Sequence, residues 1–300
     1  MPVDRARPFA RSHCLPAVTA VLLAAVTLSG CGGGDVVDAG DEGVISHPRG
    51  DEVVLQVRRV GGFQPLRVFA DVPSVTVLGD GTMITEGPQI AIFPPPALPP
   101  LLQVRLSEEG LQEVLAAADE AGLLSAAPDY GTPPIADAPT TVVTVHAEDE
   151  TIDHEIYALF EALGAAPGLT ERQRQLRQAV SSFVSALAAP EQGLVRPTDV
   201  SEPAPFEAPR FAVRARPASP GEAEPVEGVE PQVLDWPLPD VDLELAERCL
   251  VIEAEQAERL GEALAQANTL TRFRQDGVVH ALAVRPLVPP EESCDAVTVD

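Results

Sequence analysis

Side chains able to act as nucleophile, base or metal ligand are few in this 300-residue chain, and their spacing matches no standard reaction centre. No G-x-S-x-G elbow, Walker loop, Rossmann glycine fingerprint, HExxH or CxxC occurs after residue 30. His154-Glu155 begins like a zinc-protease helix, but the position four beyond His154 is Ala158 and the local pattern is that of a strand. His146 and Asp153 are expected as cross-strand neighbours on the polar side of a hairpin; such a pair binds a metal only with a third ligand, and a solvated His-Asp pair is the simpler reading. His154 falls on the apolar face of that hairpin, as a half-buried edge residue. Asp129 and Asp137 lie in a long loop with spacing unlike an EF-hand, so Asx-type turns account for them without Ca²⁺. No catalytic residue, cofactor or metal site is therefore assigned.

The cysteines carry more information. Cys31 closes Leu28-Ser29-Gly30-Cys31, a lipobox at the end of the apolar run LPAVTAVLLAAVTLSGC over 15–31. Arg5, Arg7 and Arg11 precede that run, which has the length of a signal-peptide core and is too short to span a bilayer as a helix. The match to the bacterial lipoprotein signal implies cleavage before Cys31, a diacylglyceryl thioether on its sulfur and acylation of the new amino group, palmitate being the usual acid. Two or more acyl chains make such an anchor stable where one holds only marginally. The chain is thus expected at the cell membrane, lipid-anchored on the extracytoplasmic face. Cys14 leaves with the leader, and Cys249 and Cys294 remain. Exported cysteines without metal-type spacing are expected to pair as one disulfide, the alternative being two separate buried thiols.

Composition limits the partners. With 20 Lys+Arg and 46 Asp+Glu the formal charge is −26; cleavage removes three arginines and Asp4, giving (20 − 3) − (46 − 1) = −28. So acidic a surface repels nucleic acid and anionic headgroups. Every basic residue other than histidine is Arg, and Asn268 is the only asparagine, a bias that fits a high-GC genome.

The remaining elements are those that must position these residues. Residues 31–50 read as the lipidated cysteine and a flexible tether, small and acidic without periodicity. From Glu52 the pattern alternates as in strands, and Gly79-Asp80-Gly81 supplies a hairpin turn. FPPPALPP at 93–100 reads as a rigid extended crossing between sheet and helix. Ser107 is expected to cap a helix bearing Leu111, Val114, Leu115 and Ala118, stopped at Gly122. A second hairpin is expected around Asp149-Glu150, with Val143, Val145, Ala147, Ile152, His154 and Ile156 on one face. A capping box of Thr170 and Gln173 opens a second helix with the stripe Leu176, Val180, Phe183 and Leu187, closed by Pro190. Beyond it a strand over 211–214, another over 249–252, a helix with Ala257, Leu260, Leu264 and Ala267, and a hairpin around Asp276-Gly277 are predicted. The fold class is α+β: two small domains at 51–190 and 206–300, each an antiparallel sheet with one or two helices on one face, joined by a linker over 191–205. Residues 106–124 align with 252–270 at a constant offset, which raises an internal duplication, although two alanine-rich amphipathic helices align as well by chance.

The Gly-Asp-Gly hairpin at 79–81, LSEEGL at 106–111, DYG at 129–131 and DAPTTVVTV at 137–145 resemble a family of uncharacterised bacterial exported proteins and lipoproteins of actinobacterial type. WPLPD at 236–240, LTRF at 270–273 and LAVRPL at 282–287 extend the resemblance into the second half. These motifs are structural in character, and the family implies no known activity.

Two functions remain open from the residues. One is a non-enzymatic, membrane-tethered module binding an envelope protein, a peptide or a wall component. The other is an envelope hydrolase of unfamiliar type using carboxylates, whose spacing only the fold would set.

Overall fold

In the computed structural model, which describes residues 43–62, 72–164, 167–218 and 231–294, the valine-rich segment Val53–Val60 (β1) is buried on both faces over its first half. That double burial is explained by its neighbours. With Val75–Leu78 (β2), Thr82–Glu86 (β3), Leu101–Arg105 (β4), Thr140–Ala147 (β5), Glu150–Tyr157 (β6) and Ala204–Pro205 (β7), it forms an antiparallel seven-stranded sheet ordered β6-β5-β1-β2-β3-β4-β7. Helices Glu108–Glu120 (α1) and Glu171–Leu187 (α2) cover one face, and Leu111, Val114 and Leu115 join Val180, Phe183 and Leu187 in a cluster with Leu55, Val77 and Val143. Ser107 caps α1 through the Gly110 amide, and Thr170 and Gln173 form the capping box of α2. Both ends therefore satisfy amides that a helix start leaves without partners.

Turn chemistry sets the hairpins. Gly81 sits at φ +83° with a Cβ there reaching within 2.3 Å of the Leu106 carbonyl oxygen, so no other residue fits the β2–β3 turn. In β5–β6 the pairing of Ala147 with Glu150 puts the turn at Glu148 and Asp149, both at positive φ, one residue earlier than expected.

The second sheet is built from Arg210–Pro217 (β8), Val233–Asp235 (β9), Leu250–Glu253 (β10), Arg272–Gln275 (β11) and Val278–Pro286 (β12), ordered β10-β8-β12-β11-β9 with β9 parallel to β11. Ala254–Leu264 (α3) packs Ala257, Leu260 and Leu264 against Phe211, Val213, Ile252 and Phe273. Trp236 from the WPLPD stretch meets Phe273 edge-on at 5.8 Å between centroids, and its indole donates to the Val241 carbonyl at 3.0 Å. The class is α+β, with two mainly antiparallel sheets.

The two sheets are wired differently. The hairpin after α1 lies at the edge of its sheet and joins through its first strand, β5, beside β1, whereas the hairpin after α3 lies inside its sheet, with β12 beside β8 and β11 beside β9. The aligned helices thus sit in unlike topologies, which weighs against a simple duplication.

Residues expected to be loose are docked. Ile45, assigned to the tether, packs on the first core, and its amide and carbonyl both bond the Gln112 side chain, at 2.8 and 3.0 Å. Ser46 exchanges two more bonds with Glu148, so 43–50 lies along the sheet because apolar Ile45 packs on the core and the backbone finds partners. The linker expected over 191–205 is also held: Asp199 accepts from the Ser107 amide at 2.9 Å, Val200 bridges Leu106, and β7 pairs with β4. Residues from Gly43 onward belong to one compact unit, within which each sheet keeps its own hydrophobic cluster.

Candidate functional site

Cys31 lies outside the described residues. Cys249 and Cys294 are joined as a disulfide with their Cα atoms 6.0 Å apart. β8 separates β10 from β12, so the two cysteine segments are not adjacent strands; the segment after β12 crosses to bring Cys294 back over Ala212 and Leu287.

The histidines are placed by register. His146 faces Thr151, and its Nδ1 lies 2.9 Å from the Thr151 hydroxyl, while Asp153 faces Thr144 and accepts from its hydroxyl at 2.6 Å. The two are diagonal and not directly opposite, each satisfied by a threonine across the strand pair. No group of three or more His, Cys, Asp or Glu is placed to hold a metal among the described residues. Asp129 makes the Asx turn, accepting from the Gly131 amide at 2.8 Å and from Gln173 at 3.0 Å, and Asp137 occupies a left-handed position at φ 55°.

His154 is fully buried, not half-buried, because the Tyr130 loop closes over the end of β6. Its Nε2–H donates to the Leu123 carbonyl at 3.1 Å, and its Nδ1 accepts from the Tyr130 hydroxyl at 2.8 Å, an arrangement that requires the neutral ring. Burial holds the imidazole below its usual 6.5 and pushes the Tyr130 phenol up to about 12. A histidine whose folded value is depressed contributes stability that is complete above 6.5 and is lost as pH falls. Urea midpoints at pH 7 and pH 5 are therefore expected to differ more for the wild-type chain than for His154→Gln, which keeps a donor and an acceptor but does not titrate. Equal differences in the two proteins would refute the assignment.

Beside this pair lies a charge that the pattern of α2 did not disclose. Arg177 is 1% exposed and donates to the carbonyls of Tyr157 at 2.9 Å and Ala158 at 2.5 Å. Ala158 is itself in the left-handed region at φ 51°, where alanine is unfavourable, and the guanidinium holds its carbonyl. An arginine one position after Leu176 reads as solvent-facing until the loop that covers it is known. The Tyr130–His154–Arg177 group bonds mainly to its own neighbours, with Arg177 Nε left without a partner among the described residues, and it stabilises the turn after β6.

Open space is found elsewhere. A cavity of about 730 Å³ lies between the sheets, with one wall from the end of β3 and the proline stretch after it, and the other from α3, β11 and β12. Proline placement makes this wall. Pro95 accepts from the Thr269 amide at 3.0 Å, Ala97 donates to the Ala267 carbonyl at 3.1 Å, and Ala97 and Leu98 pack into the second core. The stretch at 93–100 is thus a strut docked on the C-terminal end of α3, and it does more than cross from sheet to helix. Leu264, Phe273 and Leu282 face it, and Ile90 at the rim is 64% exposed. The charged lining residues are Arg59 and Glu86. Arg59 is already paired with Glu161 at 2.5 Å and stacks over Phe160, whereas among the described residues Glu86 accepts from the Gln89 amide group, at 2.5 Å. Cavities of this size with mostly apolar walls and a few polar groups are the common form of a small-ligand site.

One carboxyl among the described residues is raised by burial, and it faces a guanidinium. Glu291 is 7% exposed and ion-paired with Arg285, also buried, with Arg285 Nε 3.3 Å from Glu291 Oε2. Burial raises its carboxyl, and the charges of Arg285 and Arg58 pull it part of the way back. This is a joint between the sheets, since Val288 in the same segment packs on Ile84 and Leu101 and Gln56 donates to the Pro289 carbonyl at 3.2 Å.

No helix among the described residues is long and apolar enough to cross a membrane. No protein-family model, curated protein or solved structure matches the chain.

Proposed function

We propose that the chain is a membrane-anchored extracytoplasmic lipoprotein, of the exported type its motifs resemble, whose folded part binds an envelope component without chemical turnover. The observation that carries the binding reading is the cavity between the two sheets, walled by prolines and apolar side chains with the Glu86 carboxylate at its edge. The separate clusters of the two sheets support a reading as two structural halves, with the ligand seated where they meet. A hydrolase would use paired carboxyl groups in a cleft, and the raised carboxyl of Glu291 instead faces a guanidinium in a packed joint.

The anchor is tested by Cys31→Ala, which should release the protein from the membrane fraction or leave an uncleaved precursor. Fully processed variant retained in the membrane to the wild-type extent would refute it. The binding role is tested by a photocrosslinker at Ile90, exposed on the cavity rim: specific adducts in intact cells are expected, and they should disappear when Leu282→Trp fills the space behind it. Adducts unchanged by that substitution would place binding elsewhere.

A further inference from the structure

We infer that the cavity takes an amphiphile with an apolar body and a cationic head, the head set at Glu86; this rests on the binding reading above and names its ligand class. Size is the first ground, since about 730 Å³ accommodates a small ligand or an alkyl chain and not a folded partner. Wall chemistry is the second. Leu282 offers apolar surface backed by the buried Leu264 and Phe273, while Pro88, Pro96 and Pro100 contribute no N–H, so the proline wall favours ligand groups that donate.

Charge decides the head. Strand pairing separates the two charged lining residues by face: Val57 is opposite Val75 and Val75 opposite Thr85, so Arg59 shares the helix-covered face of the first sheet. There its guanidinium is neutralised by Glu161. Glu86 shares the parity of Ile84, on the opposite face that meets the second sheet. Its carboxylate receives a neutral amide hydrogen bond, and among the described residues no cation is paired with it. An anionic head there would meet like charge twice, from Glu86 and from a chain of formal charge −26. A cationic head is attracted by both. Ile90, 64% exposed on the same rim, supplies an apolar lip over which an alkyl chain can enter.

The test is equilibrium dialysis of the full exported chain with dodecylamine, dodecanol and dodecanoate, each below its aggregation concentration. Saturable binding of one dodecylamine per chain is expected, with dodecanoate weakest. Glu86→Gln should weaken dodecylamine by about fivefold, the upper range for an exposed ion pair, and leave dodecanol unchanged. Leu282→Trp should abolish binding of all three; Ala283→Leu, a smaller intrusion from the same strand, serves if the tryptophan variant does not fold. Equal affinity for the three heads, or a Glu86→Gln variant that binds dodecylamine as before, overturns the cationic-head inference while leaving the cavity as a binding site. Absence of saturable binding, or binding that survives both filling substitutions, overturns the inference together with the cavity reading on which it rests.

Discussion

Arg285→Ala is expected to lower the unfolding free energy by about 3–5 kcal/mol, the cost of leaving one member of a buried ion pair alone. Both side chains are 7% exposed, and the Glu291 carboxylate also accepts from the Val288 amide, so truncating the arginine strands a charge that the local fold has wrapped. The pair as a whole is a different matter, because desolvating two ions offsets most of their attraction. Replacing both, as Arg285→Met with Glu291→Leu, should therefore recover most of the loss. The pH dependence has a definite sign: Glu291 has a folded value above its unfolded one, so its contribution is fully present below the ordinary glutamate range and declines as pH rises through the raised value. Urea unfolding of the single and double variants decides the point, and a single variant within 1 kcal/mol of wild type would show that the joint is dispensable.

Local signals carried most of the fold into the sequence, and the joints between elements were where they ran out. The caps at Ser107 and Thr170, the Asp80-Gly81 and Asp276-Gly277 turns and the alternating face of Val143, Val145 and His154 are determined within a few residues, so periodicity and turn chemistry expose them. Ile45 on Gln112, Asp199 on Ser107 and Val288 on Ile84 join residues distant in the chain and leave no periodic trace. The same holds for the candidate site. FPPPALPP was visible as a rigid segment, but its use as a wall depends on Thr269 and Ala267, far along the chain, meeting its carbonyls and amides. Arg177 and Arg285 were illegible for a related reason: arginine in an amphipathic pattern reads as solvated, and only the covering loop or tail reveals a buried one.

The cysteine pair shows how such a tail is fixed in place. Cys249 immediately precedes the edge strand β10, and Cys294 follows the Val288–Glu291 segment that spans from the second sheet to the first. The bond closes a loop with a sequence separation of 45, and loop-closure entropy assigns such a crosslink about 4 kcal/mol of stabilisation. Against the total of roughly 5–15 kcal/mol typical of a folded domain, that is a large share. Cys249→Ser with Cys294→Ser is therefore expected to lower the urea midpoint strongly and to free the tail. Because Glu291 and Val288 lie on that tail, their contributions depend on its docking, and the cysteine and Arg285 substitutions should be less than additive when combined. Full additivity would mean that the ion pair holds the tail without help from the crosslink. Non-reducing peptide mapping supplies the independent check: free thiols at both positions in protein isolated without reductant would remove the disulfide from the account.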